Sequence, residues 1–263
     1  MTAPSRPSLE AHLRARRDAG HKLLVPYVTG GLGRWVEVIS AMAAAGADAI
    51  EVGIPFSDPV MDGPTIQEAS HRALGSGTTP LGVIDGLRDV DAGVPLVIMT
   101  YYNIVFRTGH RRFARSLVDN GVGGAVVPDV PLEELGDWAR AAEWAGVETV
   151  LLASPVTPDD RLVRICEQAH GFVYGVTLMG ITGERQSLAE SAGVMGKRLK
   201  AVTDKPVLLG FGVSTPAHAV EATRAADGVV VASVLMRALL DGAGPDDVGA
   251  RVAAMRRALD EAS

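Results

Sequence analysis

The sequence predicts one closed (β/α)8 barrel over residues 1–263, eight parallel strands each followed by a helix, with an extra helix before the first strand and a short one after the eighth. Three observations lead there. Short apolar runs recur eight times and alternate with amphipathic helical patterns. No linker, repeat or shift in composition divides the chain, and its 263 residues suit a barrel of about 250 residues. Finally, Ala44-Ala45-Gly46-Ala47-Asp48, Asn120-Gly121 and Ala145-Gly146 each end a helical pattern with glycine and lead straight into an apolar run. Such tight helix-to-strand turns mark one end of a barrel, so the loops after the strands carry the chemistry.

The elements follow in order. Residues 8–19 read as a helix laid across one end and stopped by Gly20. Strands are predicted at 23–28, 49–52, 95–101, 124–127, 149–153, 172–177, 207–209 and 229–232, and helices at 34–45, 65–76, 80–90, 110–120, 132–145, 158–169, 193–202, 216–225, 234–240 and 246–261. Pro158-Asp159 and Thr215-Pro216 are helix starts, because proline is tolerated where a first-turn amide has no partner within the helix. The connection 178–192 is longer than most, and its Gly180, Thr182, Gly183, Glu184 and Arg185 suit a segment that orders over a ligand.

Composition excludes several function classes. Apolar residues make up 47 % and aromatic ones 5 %, so the core is built from Ala, Val, Leu and Ile. Net charge is −6 with both signs interspersed, which offers no footprint for nucleic acid or for an anionic membrane. The cluster Arg14, Arg16, Arg17 reads as a solvated helix face. Cys166, the single cysteine, falls at a core position of its helix and does not ask for an oxidising compartment. No 18-residue apolar run or secretory signal is present, so the expected setting is cytoplasmic.

The chemistry concentrates in 49–67, AIEVGIPFSDPVMDGPTIQ. Glu51 interrupts an apolar strand buried on both faces, where desolvation raises a carboxyl pKa and lets it both give and take protons near neutrality. Asp62 follows on a loop punctuated by Pro55, Pro59, Gly63 and Pro64. Two carboxyls in different environments are how one site separates acid from base work. A plainer reading makes Glu51 a satisfied structural charge and Asp58 and Asp62 turn residues. Tyr174 and Tyr101, on strands six and three, are candidate aids, although Tyr174 also suits a barrel layer with its hydroxyl satisfied.

A second cluster lies at the end of the chain. Gly210-Phe211-Gly212-Val213-Ser214 follows strand seven, and Ala232-Ser233 opens the short helix after strand eight. Glycine lets main-chain amides approach an anion, and a helix start presents free N–H groups, so Gly212, Ser214, Ala232 and Ser233 compose a candidate phosphate cradle. Taken singly, each glycine is equally a tight turn. Lys22 and Lys205 precede strands and Lys197 and Lys200 lie on a helix, which disfavours imine chemistry. The six histidines fall on helices or lower turns and read as surface residues, so no metal site is expected. No Gly-x-Gly-x-x-Gly unit supports a dinucleotide.

Glu51-Val52-Gly53-Ile54-Pro55-Phe56-Ser57-Asp58-Pro59 with Asp62-Gly63-Pro64-Thr65-Ile66-Gln67 resembles the signature of the tryptophan synthase alpha chain family. The resemblance spans roughly residues 20–240 and implies a TIM barrel that cleaves indole-3-glycerol phosphate to indole and glyceraldehyde 3-phosphate, a lyase step of tryptophan biosynthesis. It implies Glu51 and Asp62 as catalytic acids with Tyr174 beside them, and an indole pocket from Tyr27, Tyr101 and Phe211. The phosphate would be held by Gly183, Gly212, Ser214, Ala232 and Ser233. Ala232 stands where the family usually has Gly, Thr177 where Ser is usual, and Gly31-Leu32-Gly33 departs from the usual first loop. The resemblance also implies no cofactor in this chain, and a beta chain carrying pyridoxal phosphate that meets Pro55, Asp58 and the segment 101–106 with Asn103, two copies of each. Three other functions stay open: a stand-alone lyase releasing free indole, another phosphate-handling barrel such as a sugar-phosphate isomerase, which would lack the Glu51 to Gln67 signature, and a non-catalytic regulatory subunit, which would lack Glu51 or Asp62.

Overall fold

The structure, a computed structural model, describes residues 8–176, 188–210 and 212–262. The eight strands are β1 (Leu23–Thr29), β2 (Ile50–Gly53), β3 (Leu96–Met99), β4 (Val122–Val126), β5 (Glu148–Ala153), β6 (Val173–Val176), β7 (Val207–Gly210) and β8 (Gly228–Val231). They pair in sequence order, all parallel, and β8 returns to β1 to close the barrel. The helices are α1 (Leu9–Asp18), α2 (Trp35–Ala44), α3 (Pro64–Gly75), α4 (Pro80–Asp85), α5 (Tyr102–Thr108), α6 (His110–Asp119), α7 (Gly136–Ala145), α8 (Asp159–Gln168), α9 (Leu188–Lys200), α10 (Pro216–Thr223), α11 (Ser233–Leu240) and α12 (Pro245–Glu261). Cross-strand register places Tyr27 beside Glu51, Glu51 beside Val97 and Val97 beside Gly124, so these four face the same side of the wall.

Local chemistry sets many boundaries. Thr79 and Thr215 cap α4 and α10 through their side chains, each ahead of a first-turn proline. Gly46, Gly121 and Gly146 carry positive φ at the helix-to-strand turns, a conformation that costs other L-residues. Elsewhere the fold departs from expectation. α5 was not anticipated, because Tyr102-Asn103-Ile104-Val105-Phe106 is a weak helix former; the Asp129 Oδ1 atom starts it by accepting the Tyr102 N–H at 2.8 Å from another loop. The predicted helix 132–145 breaks into a 3-10 turn at Leu132–Glu134 and α7, and the helix from residue 80 stops at Asp85. α9 begins inside the predicted 178–192 loop, where Leu188-Ala189-Glu190 is helix-favouring sequence; the rest of that loop, with Thr177, lies outside the described residues.

α1 closes the lower end, with Leu9 and Leu13 fully buried and Leu9 packed against Gly124 and Gly171. Beside it lies a charged clamp. Asp48, 1 % exposed, accepts the Leu24 N–H at 2.8 Å, Arg16 Nε at 2.7 Å and Arg256 Nη1 at 3.2 Å, while Arg256 also donates to the Lys22 carbonyl at 2.7 Å. The basic cluster of α1 is therefore more than a solvated face: Arg16 ties α1 to the turn before β2, and Arg256 brings in α12. His12 also departs from the surface reading; it is half-buried, its Nε2 has no partner, and burial lowers its pKa. Asp48→Ala takes from the Arg256 guanidinium its buried carboxylate, leaving it only the half-exposed Asp260 at 2.7 Å, and should destabilise the fold by about 3 kcal/mol. Urea unfolding would read this as a lower midpoint at unchanged slope.

Candidate active site at the barrel mouth

The upper ends of the strands open into a cavity of about 130 Å³. Tyr27 from β1, Glu51 from β2, Asp62 from the following loop and Tyr174 from β6 line one part, and Gly212, Ala232 and Ser233 line another. Met99, Val126, Leu152, Val176 and Val230 supply apolar wall between them. These wall residues were not singled out from the sequence; strand alternation was the signal that could have found them.

Glu51 is 4 % exposed, and its Oε2 has no hydrogen-bond partner. Burial, reinforced by the nearby Asp62 carboxylate, pushes its pKa up to about 8. Asp62 is half-buried and pushed up to about 6 by burial, partly offset by a hydrogen bond from the Tyr101 hydroxyl. Its main chain is fixed: the Asp62 N–H bonds the Pro59 carbonyl at 3.0 Å, and Gln67 Nε2 donates to the Asp62 carbonyl at 2.9 Å. Burial, then Asp62, raises the Tyr27 phenol, and burial, then Glu51, Asp62 and Tyr27, raises that of Tyr174. Both rings therefore remain neutral and present hydroxyls. Tyr27 accepts a hydrogen bond from Thr29 Oγ1 at 3.3 Å, and its ring lies over Gly53, where any Cβ would collide with the phenol.

The anion end uses main chain. α11 starts at Ser233 with no side-chain cap, and Ala232, at its N-cap, lines the cavity beside Gly212. An uncapped start exposes first-turn N–H groups and the positive end of the helix dipole. The cavity thus joins two acids, two phenols, an apolar wall and an anion-compatible helix start. Among the described residues there is no His, Cys, Asp and Glu grouping that could hold a metal, and no helix long and apolar enough to cross a membrane.

Several expected site residues lie elsewhere. Ser214 is exposed, outside the cavity lining, and its Oγ pairs with His218 Nδ1 at 3.1 Å at the start of α10. Tyr101 does not line the cavity either; its hydroxyl accepts the N–H of Met61, the neighbour of Asp62, at 3.0 Å. Pro55 is buried under its own chain and has little surface left for a partner, whereas Asp58 and Asn103 are exposed. Gly183 and Phe211 lie outside the described residues.

The tryptophan synthase alpha chain family model matches residues 13–263. The chain belongs to the tryptophan synthase alpha chain family. A tryptophan synthase alpha chain of Halorhodospira halophila is 42 % identical over 258 residues, covering 94 % of each chain, and one of Thermobifida fusca is 39 % identical over 245 residues, covering 90 % of this chain and 91 % of the relative. Among solved structures, a tryptophan synthase of Mycobacterium tuberculosis superposes with a TM-score of 0.88 at 34 % identity, covering 97 % of this chain and 99 % of that one. The alpha subunit of Legionella pneumophila gives 0.85 at 30 %, covering 96 % and 98 %. The lyase activity of the tryptophan synthase alpha chain, cleavage of indole-3-glycerol phosphate, is accordingly the activity of this chain.

The raised carboxyl of Glu51 has a stability signature. Between its ordinary value of 4.5 and about 8 the folded state holds a proton that the unfolded chain releases, so stability falls as pH rises through that window. Glu51→Gln removes the ionisation and should stabilise the protein at pH 8 by on the order of a few kcal/mol relative to wild type, with little difference near pH 4.5. Urea unfolding of both proteins at the two pH values measures it.

Proposed function

We propose that Glu51 carries the proton in this cleavage and that Asp62 holds the positive ring. Protonated Glu51 delivers its proton to C3 of the indole, which becomes an indolenine cation; Asp62, ionised, accepts the ring N–H and stabilises that charge. The bond between C3 and the side-chain carbon then breaks, its electron pair returning to the ring. The Glu51 carboxylate takes the proton from the hydroxyl on that carbon, which leaves as the aldehyde of glyceraldehyde 3-phosphate. One proton leaves Glu51 and one returns, so no cofactor is needed in this chain. The observation that carries the reading is the buried Glu51 carboxyl, its Oε2 without a partner and its pKa pushed up to about 8, lining one cavity with Asp62.

Tyr27, Tyr174 and the aliphatic wall suit the indole ring, and Gly212, Ala232 and Ser233 suit the phosphate, the two grips together fixing orientation. Ala232 keeps the amide that a glycine would offer and adds a methyl group. A pyridoxal-phosphate beta chain is the proposed partner in a cytoplasmic complex with two copies of each chain. Support comes from Asp58, Asn103 and Phe106 on the surface around the mouth, Phe106 being 62 % exposed. The neighbouring solved structures include tryptophan synthase of Mycobacterium tuberculosis.

Glu51→Gln and Asp62→Asn should each lower kcat/KM at least about a hundredfold while ligand binding is largely kept. Near-wild-type turnover in either variant removes that residue from the mechanism. The wild-type profile of kcat/KM against pH should be bell-shaped, with an acid limb near the Asp62 value of about 6 and a basic limb near the Glu51 value of about 8. Glyceraldehyde 3-phosphate release assayed with and without a beta chain tests the partner: stimulation by it, weakened in Phe106→Asp, supports the complex. Full activity without it supports a stand-alone lyase.

A further inference from the structure

Tyr27 stands between the two working ends of the cavity. On one side its strand pairs with β2, where Tyr27 lies beside Glu51; on the other it pairs with β8, where Val231, the residue before Ala232, lies beside Pro26. A substrate gripped by its phosphate at Ala232 and Ser233 and by its ring near Glu51 must run its three-carbon chain past this residue. Tyr27 is 5 % exposed, and its ring leans over Gly53, where a Cβ would overlap the phenol oxygen. The hydroxyl therefore stands at the level of Gly53, one interior layer above Glu51. Thr29 holds it there. This residue is fully buried, its Oγ1 donates to the Tyr27 oxygen at 3.3 Å, and its N–H donates at 3.3 Å to Met236 Sδ on α11, the helix that opens at Ser233. Among the described residues no acceptor takes the proton of the Tyr27 hydroxyl itself. A phenol proton keeps to the ring plane, and with Thr29 donating from one side it turns to the other.

We propose that the Tyr27 hydroxyl donates to the middle hydroxyl of the substrate's glycerol chain, with Thr29 as the positioning residue that aims it. This rests on the reading of the site given above and deepens it. The chain carries two hydroxyls. The one on the carbon bonded to the ring gives its proton to Glu51, whereas the one on the middle carbon has no partner in that scheme and passes between the acid and the phosphate grip, where Tyr27 stands. A phenylalanine would supply the same wall, so packing alone does not call for the oxygen. A buried donor left unmet is unfavourable, and a site built around one rejects an analogue without the matching hydroxyl far more strongly than an apolar wall does. The middle hydroxyl survives unchanged in glyceraldehyde 3-phosphate, so the bond serves ground and transition states alike and its loss should appear in KM rather than in kcat.

The test compares indole-3-glycerol phosphate with its analogue lacking the middle hydroxyl, following indole release by the complex with a family beta chain. Wild type should prefer the natural substrate by at least about tenfold in kcat/KM, mostly through KM. Tyr27→Phe should lose about the same factor on the natural substrate and almost nothing further on the analogue, so the preference falls toward one. Thr29→Val keeps the phenol but frees its oxygen, and should lower the preference part-way. Both variants should melt within a few degrees of wild type; if Tyr27→Phe does not fold, the wild-type preference and Thr29→Val still decide. A wild type indifferent to the middle hydroxyl, or variants that keep its full preference, would overturn the inference and leave Glu51 and Asp62 in their roles. Wild-type turnover in Glu51→Gln would instead sink the reading of the site, and this inference with it.

Discussion

The barrel mouth depends on one constraint: a carboxyl kept out of water with no countercharge. Glu51 occupies a strand position beside Tyr27 and Val97 that faces the interior, where it lines the cavity yet is only 4 % exposed. Burial of an ionised acid costs more than burial of a neutral one, so the fold itself keeps a proton on Glu51 near neutrality. Asp62, on a half-exposed loop, escapes most of that penalty. The pair is thus divided by environment rather than by residue type, and the division is what lets one group move a proton while the other stays charged.

The rest of the architecture sustains that arrangement from a distance. At the lower end Asp48 gathers Arg16 and Arg256 and so joins α1, the entry to β1 and α12. Paired charges there stabilise; the buried acid at the mouth, which would destabilise the fold once ionised, is kept neutral by its proton and held in place by closure of the barrel. Gly53 belongs to the same scheme, because only a residue without a side chain lets the Tyr27 phenol come this close to the strand next to Glu51.

Much of this was legible in the sequence because it is local. Apolar runs interrupted by glycine turns marked all eight strands to within a few residues, and Thr215-Pro216 announced α10. Glu51 was conspicuous as an acid with apolar residues on both sides of it in a strand. What could not be read was non-local. α5 forms because Asp129 reaches it from another loop, and the Tyr101 hydroxyl is taken up by the Met61 N–H of a loop distant in sequence rather than by the cavity. Ser214 looked like part of an anion cradle, but its hydroxyl is occupied by His218 one helical turn on. Pro55 sits in a motif that suggests surface, and only the packing of its neighbours shows it covered.

The uncapped beginning of α11 has a consequence for how such a mouth diversifies. In the proposed assignment the grip on the anion is made of peptide groups, which substitution scarcely alters, whereas the wall opposite is made of side chains, which it alters freely. Descendants of this scaffold could therefore exchange the aromatic half of their substrate for another shape while inheriting the handle by which any phosphorylated molecule is held.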